Sequence, residues 1–173
     1  MNPARARRHP LMIILLPLAL GLACGCGSGT SKTTTSKTGP GGVARVNPHY
    51  GAPGAHIRFL RPTQGSTVAQ SVHVNVVVTG FMLDPRDLDK APKKGKGIVL
   101  FSMDGGKYDT ARYAGANGML AVRLGIAGKY SPAVTPTITY SRLPPGKHTL
   151  VASLANTDLS DTGVHARVVF KIR

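Results

Sequence analysis

From His56 to Arg173 the chain is a series of short runs in which apolar and polar residues alternate, each closed by glycine, proline or aspartate. Such a period of two sets one face of a strand against a core and leaves the other toward water. Ile57–Leu60 is a first short run, closed by Arg61-Pro62. In the next, Val72, Val74, Val76 and Val78 share one face, opposite His73, Asn75, Val77 and Thr79. Phe81, Met82 and Leu83 extend its packing beyond Gly80. Ile98–Met103 is apolar but for Ser102, up to Asp104-Gly105-Gly106-Lys107, which reads as a hairpin turn. Leu120–Ile126 alternates again, and Thr137–Tyr140 follows Pro136, a position suited to an edge or a strand start. The turn Leu143-Pro144-Pro145-Gly146 leads into His148–Leu154, where Leu150, Ala152 and Leu154 share a face. In the last run Val164, Ala166, Val168, Phe170 and Ile172 point one way, with His165, Arg167 and Lys171 opposite.

About seven strands are expected, with no 3.6-residue stripe long enough for a helix. The pattern therefore predicts an all-β fold over residues 56–173, a β-sandwich of two sheets burying their alternating faces. A closed barrel satisfies the same periodicity.

The start of the chain follows other rules. Arg5, Arg7 and Arg8 precede a mostly apolar run from Leu11 to Ala23 that contains Pro17. That run is too short and too broken to span a bilayer, and its charged flank makes residues 1–23 a secretory signal peptide. Residues 24–55 form the new N-terminus and a linker. Its stretch from Gly27 to Gly42 is almost wholly Gly, Ser, Thr and Lys, with too little apolar surface to offset the cost of ordering. A flexible tether is the expectation there.

Composition adds sign and chemistry. The 22 basic residues outnumber 7 acidic ones, all aspartate, giving a formal charge of +15. Loss of residues 1–23 removes three arginines and no acid, leaving 19 basic against 7 acidic side chains and a charge of +12. Such a field attracts anionic surfaces and polymers; for an exported chain, nucleic acid is not the expected partner. Lys90, Lys93, Lys94 and Lys96, crowded after Asp84, Asp87 and Asp89, are the candidate anion contact. Both cysteines, Cys24 and Cys26, lie at the end of the leader, so the domain has neither a disulfide nor a thiol nucleophile.

Catalytic patterns are missing: there is no Gly-x-Ser-x-Gly elbow, no His-Glu-x-x-His, and no glutamate at all. Asp161 and His165 are close enough in sequence for a dyad but lack an evident nucleophile. Calcium would want six to eight oxygens; Asp104, Asp109, Asp158 and Asp161 are candidates whose ordinary role is to cap turns. His56, His73, His148 and His165 all fall on strands, at spacings that do not force convergence on a metal. Tyr108, Tyr113 and Tyr130 can flank a ligand surface or cover the core's edge.

Two resemblances sharpen this. Gly21-Leu22-Ala23-Cys24-Gly25-Cys26 resembles a bacterial lipoprotein signal, although Gly21 stands where that pattern prefers leucine. It implies cleavage before Cys24 and diacylation of that cysteine, with Cys26 the alternative. Pro144-Pro145-Gly146-Lys147-His148-Thr149-Leu150 with Leu154-Ala155-Asn156, together with Gly97–Gly106, is similar to small immunoglobulin-like domains of exported bacterial proteins. That similarity spans about residues 62–172 and implies an immunoglobulin-like sandwich. Val99, Phe101 and Leu159 stand where those domains often carry histidine, so a metal site would retain only His148 and Asp158. The combined expectation is a lipid-anchored, non-enzymatic envelope module without a cofactor, facing the extracytoplasmic side. Its partners would be the membrane and an envelope polymer or protein; a metal-binding lipoprotein is the alternative.

Overall fold

The structure, a computed structural model, describes residues 52–173. The signal peptide, Cys24, Cys26 and nearly all of the linker lie outside the described residues. Ala52 and Ala55, read from sequence as the linker's end, are buried in the core.

Nine strands and one helix follow in the order β1 (His56–Arg61), β2 (Thr67–Val68), β3 (Val72–Thr79), β4 (Met82–Leu83), β5 (Lys96–Met103), α1 (Ala111–Arg123), β6 (Ser131–Ala133), β7 (Thr137–Tyr140), β8 (Gly146–Asn156) and β9 (Asp161–Ile172). One sheet has the order β1-β3-β7 and is antiparallel. The other runs β2-β9-β8-β5-β4, with β6 added to β5. The antiparallel β8–β9 hairpin is its longest ladder, while β2 joins β9 and β4 joins β5 in parallel.

The alternation read from sequence sets the faces. Val72, Val74 and Val76 of β3, Leu150, Ala152 and Leu154 of β8, and Val168, Phe170 and Ile172 of β9 share one core with Val99, Phe101 and Met103 of β5. Burying each such side chain contributes roughly 1.5–3 kcal/mol, which makes this cluster the main stabiliser of the domain. β5 is apolar on both faces because both are covered. Ile98 and Leu100 pack outward with Ala155 beneath Leu88, Ile126, Tyr130, Val134 and Leu159. A continuous rather than alternating run is the mark of such an interior strand.

The all-β, immunoglobulin-like sandwich is overturned. The fold is mixed α/β, with parallel pairings at both ends of the larger sheet and a helix where a strand was expected. Leu120–Arg123 closes α1 instead of forming a strand, and Val122, which the strand reading turns inward, is 62% exposed. The helix is kinked at Gly115 (φ +54°) and buries only small residues, Ala114 before the kink and Gly118 and Ala121 after it. Large apolar residues therefore carry no helical period here, and the alternation of Leu120, Val122 and Leu124 mimics a strand. Gly125, at φ +69°, ends the helix: its N–H reaches Val122 O while Ile126 N–H reaches Ala121 O. That is a Schellman termination, which glycine favours because no Cβ opposes the left-handed conformation. The hairpin expected at Asp104–Lys107 is also replaced, by a 3-10 turn (Asp104–Gly106) leading into the helix.

Candidate functional site

The polar residues of the Met103–Asp109 segment organise the interior. Asp104, Gly105 and Gly106 all take positive φ, which turns the chain sharply after β5. A Cβ on Gly106 would lie 2.3 Å from Gly128 O, so glycine is required by contact as well as by conformation. The turn aims the two aspartates at its ends into different networks.

Asp104 Oδ1 accepts the backbone N–H of Thr149 at 2.7 Å, and Oδ2 lies 2.7 Å from Nδ1 of His148. Nε2 of the same ring is 2.9 Å from Pro144 O. Both ring nitrogens thus face acceptors. His148 is 4% exposed, with Tyr108 edge-on to its ring and Phe170 tilted beside it. An Asp–His pair of this form orients a base in hydrolases. Here the nitrogen that would meet a nucleophile is held by a backbone carbonyl. The chemistry available to the pair is that of a clamp, tying the turn after β5 to the start of β8.

Asp109, fully buried, forms the second network. Its Oδ2 accepts Met103 N–H at 2.7 Å; its Oδ1 accepts the Ser131 hydroxyl at 2.7 Å and the Tyr140 hydroxyl as well. Burial raises its carboxyl to about 6, against the opposing pull of these three donors. Burial and the neighbouring Asp109 charge likewise push the Tyr140 phenol well above its ordinary value. One carboxylate therefore joins β5, β6 and β7 beside the start of α1.

Three of the four sequence-predicted lysines lie beside an aspartate of their own loop. Lys93 Nζ lies 2.6 Å and Lys90 Nζ 3.5 Å from Asp87, while Lys96 Nζ is 3.8 Å from Asp84. Hydrogen bonds from the backbone and side chain of Arg86 hold Asp84 below the usual carboxylate range, and the Lys93 hydrogen bond does the same for Asp87. Of the four lysines, Lys94 alone has no carboxylate partner among the described residues. The loop is stitched down by Thr157, whose hydroxyl reaches Lys90 O and Ala91 O, and Leu88 covers the second apolar cluster.

His148 and Asp158, the pair left for a metal, are not brought together. His148 stands at the start of β8; Asp158 lies beyond its end, where it accepts from the backbone and hydroxyl of Ser160. Ten residues of extended chain separate two points by about 30 Å. Among the described residues no group of three or more His, Cys, Asp or Glu gathers. Asp161 accepts Gly163 N–H in a turn, and no hydrogen bond joins it to His165. His73 is exposed and shares a hydrogen bond with Thr139 Oγ1. Tyr108 is buried against Tyr113, and Tyr130 packs on the second cluster, so both cover core edges.

Sequence reasoning missed both networks. Asp104 lies 44 residues from His148, and Asp109 lies 22 and 31 residues from Ser131 and Tyr140. Asp104-Gly105-Gly106 was legible as a turn, but nothing in the sequence showed where its aspartates point. An open groove of about 410 Å³, bounded by Leu60, Arg61, Pro62, Val68 and His73, also went unforeseen. No protein-family model matches the chain, and no curated protein matches it in sequence.

Proposed function

We propose that this chain is an exported bacterial lipoprotein whose folded domain is a non-enzymatic binding or structural module of the cell envelope. Diacylated Cys24 holds it to a membrane on the extracytoplasmic side. The anchoring part of the reading is supported by the basic leader, the apolar run and Ala23-Cys24. For the domain, the observation that carries it is that His148 Nε2 is engaged by Pro144 O. The fold's one Asp–His dyad among the described residues thereby serves as a buried fastening, and the carboxylate of Asp109 is likewise committed to three internal donors.

The test is to express the full chain in a bacterium and measure the mass of its mature N-terminal peptide. A diacylglyceryl and N-acyl addition at Cys24 is expected. Cys24→Ala is then expected to abolish the modification and release the domain from washed membranes. A mature chain lacking lipid at both Cys24 and Cys26 would refute the anchored reading.

A further inference from the structure

The outer face of the β8–β9 hairpin carries a charge arrangement that the fold itself does not explain. Lys147 and Lys171 are directly opposite in register, and both are exposed. Arg167 is exposed on the same face of β9 and stands opposite Val151, while Val169 lies between the two cations of β9. Alternate residues on a strand are about 7 Å apart, so the three cations cover a short stretch of sheet. Like charges facing each other across a ladder destabilise it, and proteins commonly relieve this with a neighbouring carboxylate. None is present. All seven carboxylate side chains lie within the described residues, and none pairs with Lys147, Arg167 or Lys171. Asp161, on the same side of β9, is six residues from Arg167, about 20 Å away along the strand.

We propose that this face docks the domain onto the anionic headgroups of the membrane to which the chain is anchored. The inference rests on the anchored reading above and deepens it. A bilayer is an extended anionic plane, which suits exposed cations spread along one sheet face. Long Lys and Arg arms reach headgroups while Val151 and Val169 stay at the sheet surface. Each cation near an anionic leaflet contributes about a two- to tenfold gain in binding, and lipid anchors of modest strength commonly work together with basic surfaces.

The experiment uses the full chain with Cys24→Ser and Cys26→Ser, so that acylation plays no part, and measures co-sedimentation with vesicles. Pure phosphatidylcholine is compared with phosphatidylcholine containing phosphatidylglycerol. Binding by the leader, whose Arg5, Arg7 and Arg8 also favour anionic vesicles, is the same in every variant and cancels when variants are compared on one vesicle composition. Lys147→Gln/Arg167→Gln/Lys171→Gln is expected to weaken binding to the anionic vesicles by on the order of a hundredfold. Lys90→Gln/Lys93→Gln/Lys96→Gln removes equal charge from the aspartate-paired lysines of the loop and is expected to weaken it less than tenfold. Equal losses in the two variants, or no loss on the hairpin face, would overturn the proposal. So would binding of soluble polyphosphate that depends on the three residues without any preference for anionic vesicles, since the occupant would then be a polymer. Thermal unfolding confirms that each variant is folded. The mass of the wild-type N-terminal peptide tests anchoring separately, so failure of either idea is distinguishable from failure of the other.

Discussion

Asp109 is where one side chain has the largest consequences. Its carboxyl is raised to about 6 in the fold, against an ordinary value of 3.8. The folded state therefore binds a proton more tightly than the unfolded chain, and this group's contribution to stability is greatest below pH 4. It declines as pH rises from about 4 to 6 and is flat above, a loss of about 3 kcal/mol in all. Asp84 and Asp87 act in the opposite sense, because their lowered values make stability fall only as pH drops below about 4. Asp109→Asn is expected to flatten the decline between pH 4 and 6, as read from urea midpoints across that range. Asp109→Ala also leaves Met103 N–H and two buried hydroxyls without their acceptor, and is expected to cost roughly 3–5 kcal/mol at pH 7. His148→Ala opens a cavity beside Tyr108 and Phe170 and frees Pro144 O, for an expected loss of about 2–4 kcal/mol in the same assay.

At the scale of elements, what could be read from sequence depended on the size of the buried residues. β3, β8 and β9 were legible because valine, leucine and phenylalanine mark their inner faces at period two. β5 was legible as a strand, though the cover on its second face, over Ile98 and Leu100, came from loops that carry no pattern. The helix was not legible, since it is kinked at Gly115 and its buried residues are the small Ala114, Gly118 and Ala121, while Met119 and Val122 face water. The networks at Asp104 and Asp109 were hidden for a related reason: their partners meet only after the sheets close. Two substitutions separate helix from strand at this place. A Cβ on Gly118 would lie 2.3 Å from Thr110 O, so Gly118→Ala is expected to lower stability by roughly 1–3 kcal/mol, although alanine is the better helix former by about 1 kcal/mol. Val122→Lys is expected to change stability by less than about 0.5 kcal/mol, where an inward strand position would lose several times more. Thermal unfolding of the two variants side by side decides it.

Over the whole molecule, carboxylates are too few to balance the cations, and where they are placed divides the surface into two kinds. In the Asp84–Lys96 loop each of Lys90, Lys93 and Lys96 lies near an aspartate, so the charge of these three is partly offset in place. On the β8–β9 face Lys147 meets Lys171 with nothing between them. If the repulsion there is retained for docking, easing it should stabilise the fold and harm binding at once. Lys171→Glu turns the like-charge pair into a cross-strand ion pair and is expected to raise stability by a few tenths to about 1 kcal/mol. The same change is expected to reduce sedimentation with phosphatidylglycerol vesicles by tenfold or more. Lys93→Glu sets a negative charge beside Asp87 and is expected to lower stability, with a smaller effect on vesicles. Opposite signs for stability and binding at Lys171, absent at Lys93, would mark the hairpin face as a surface built for an anionic partner. Equal signs at both positions would mean that only total charge matters.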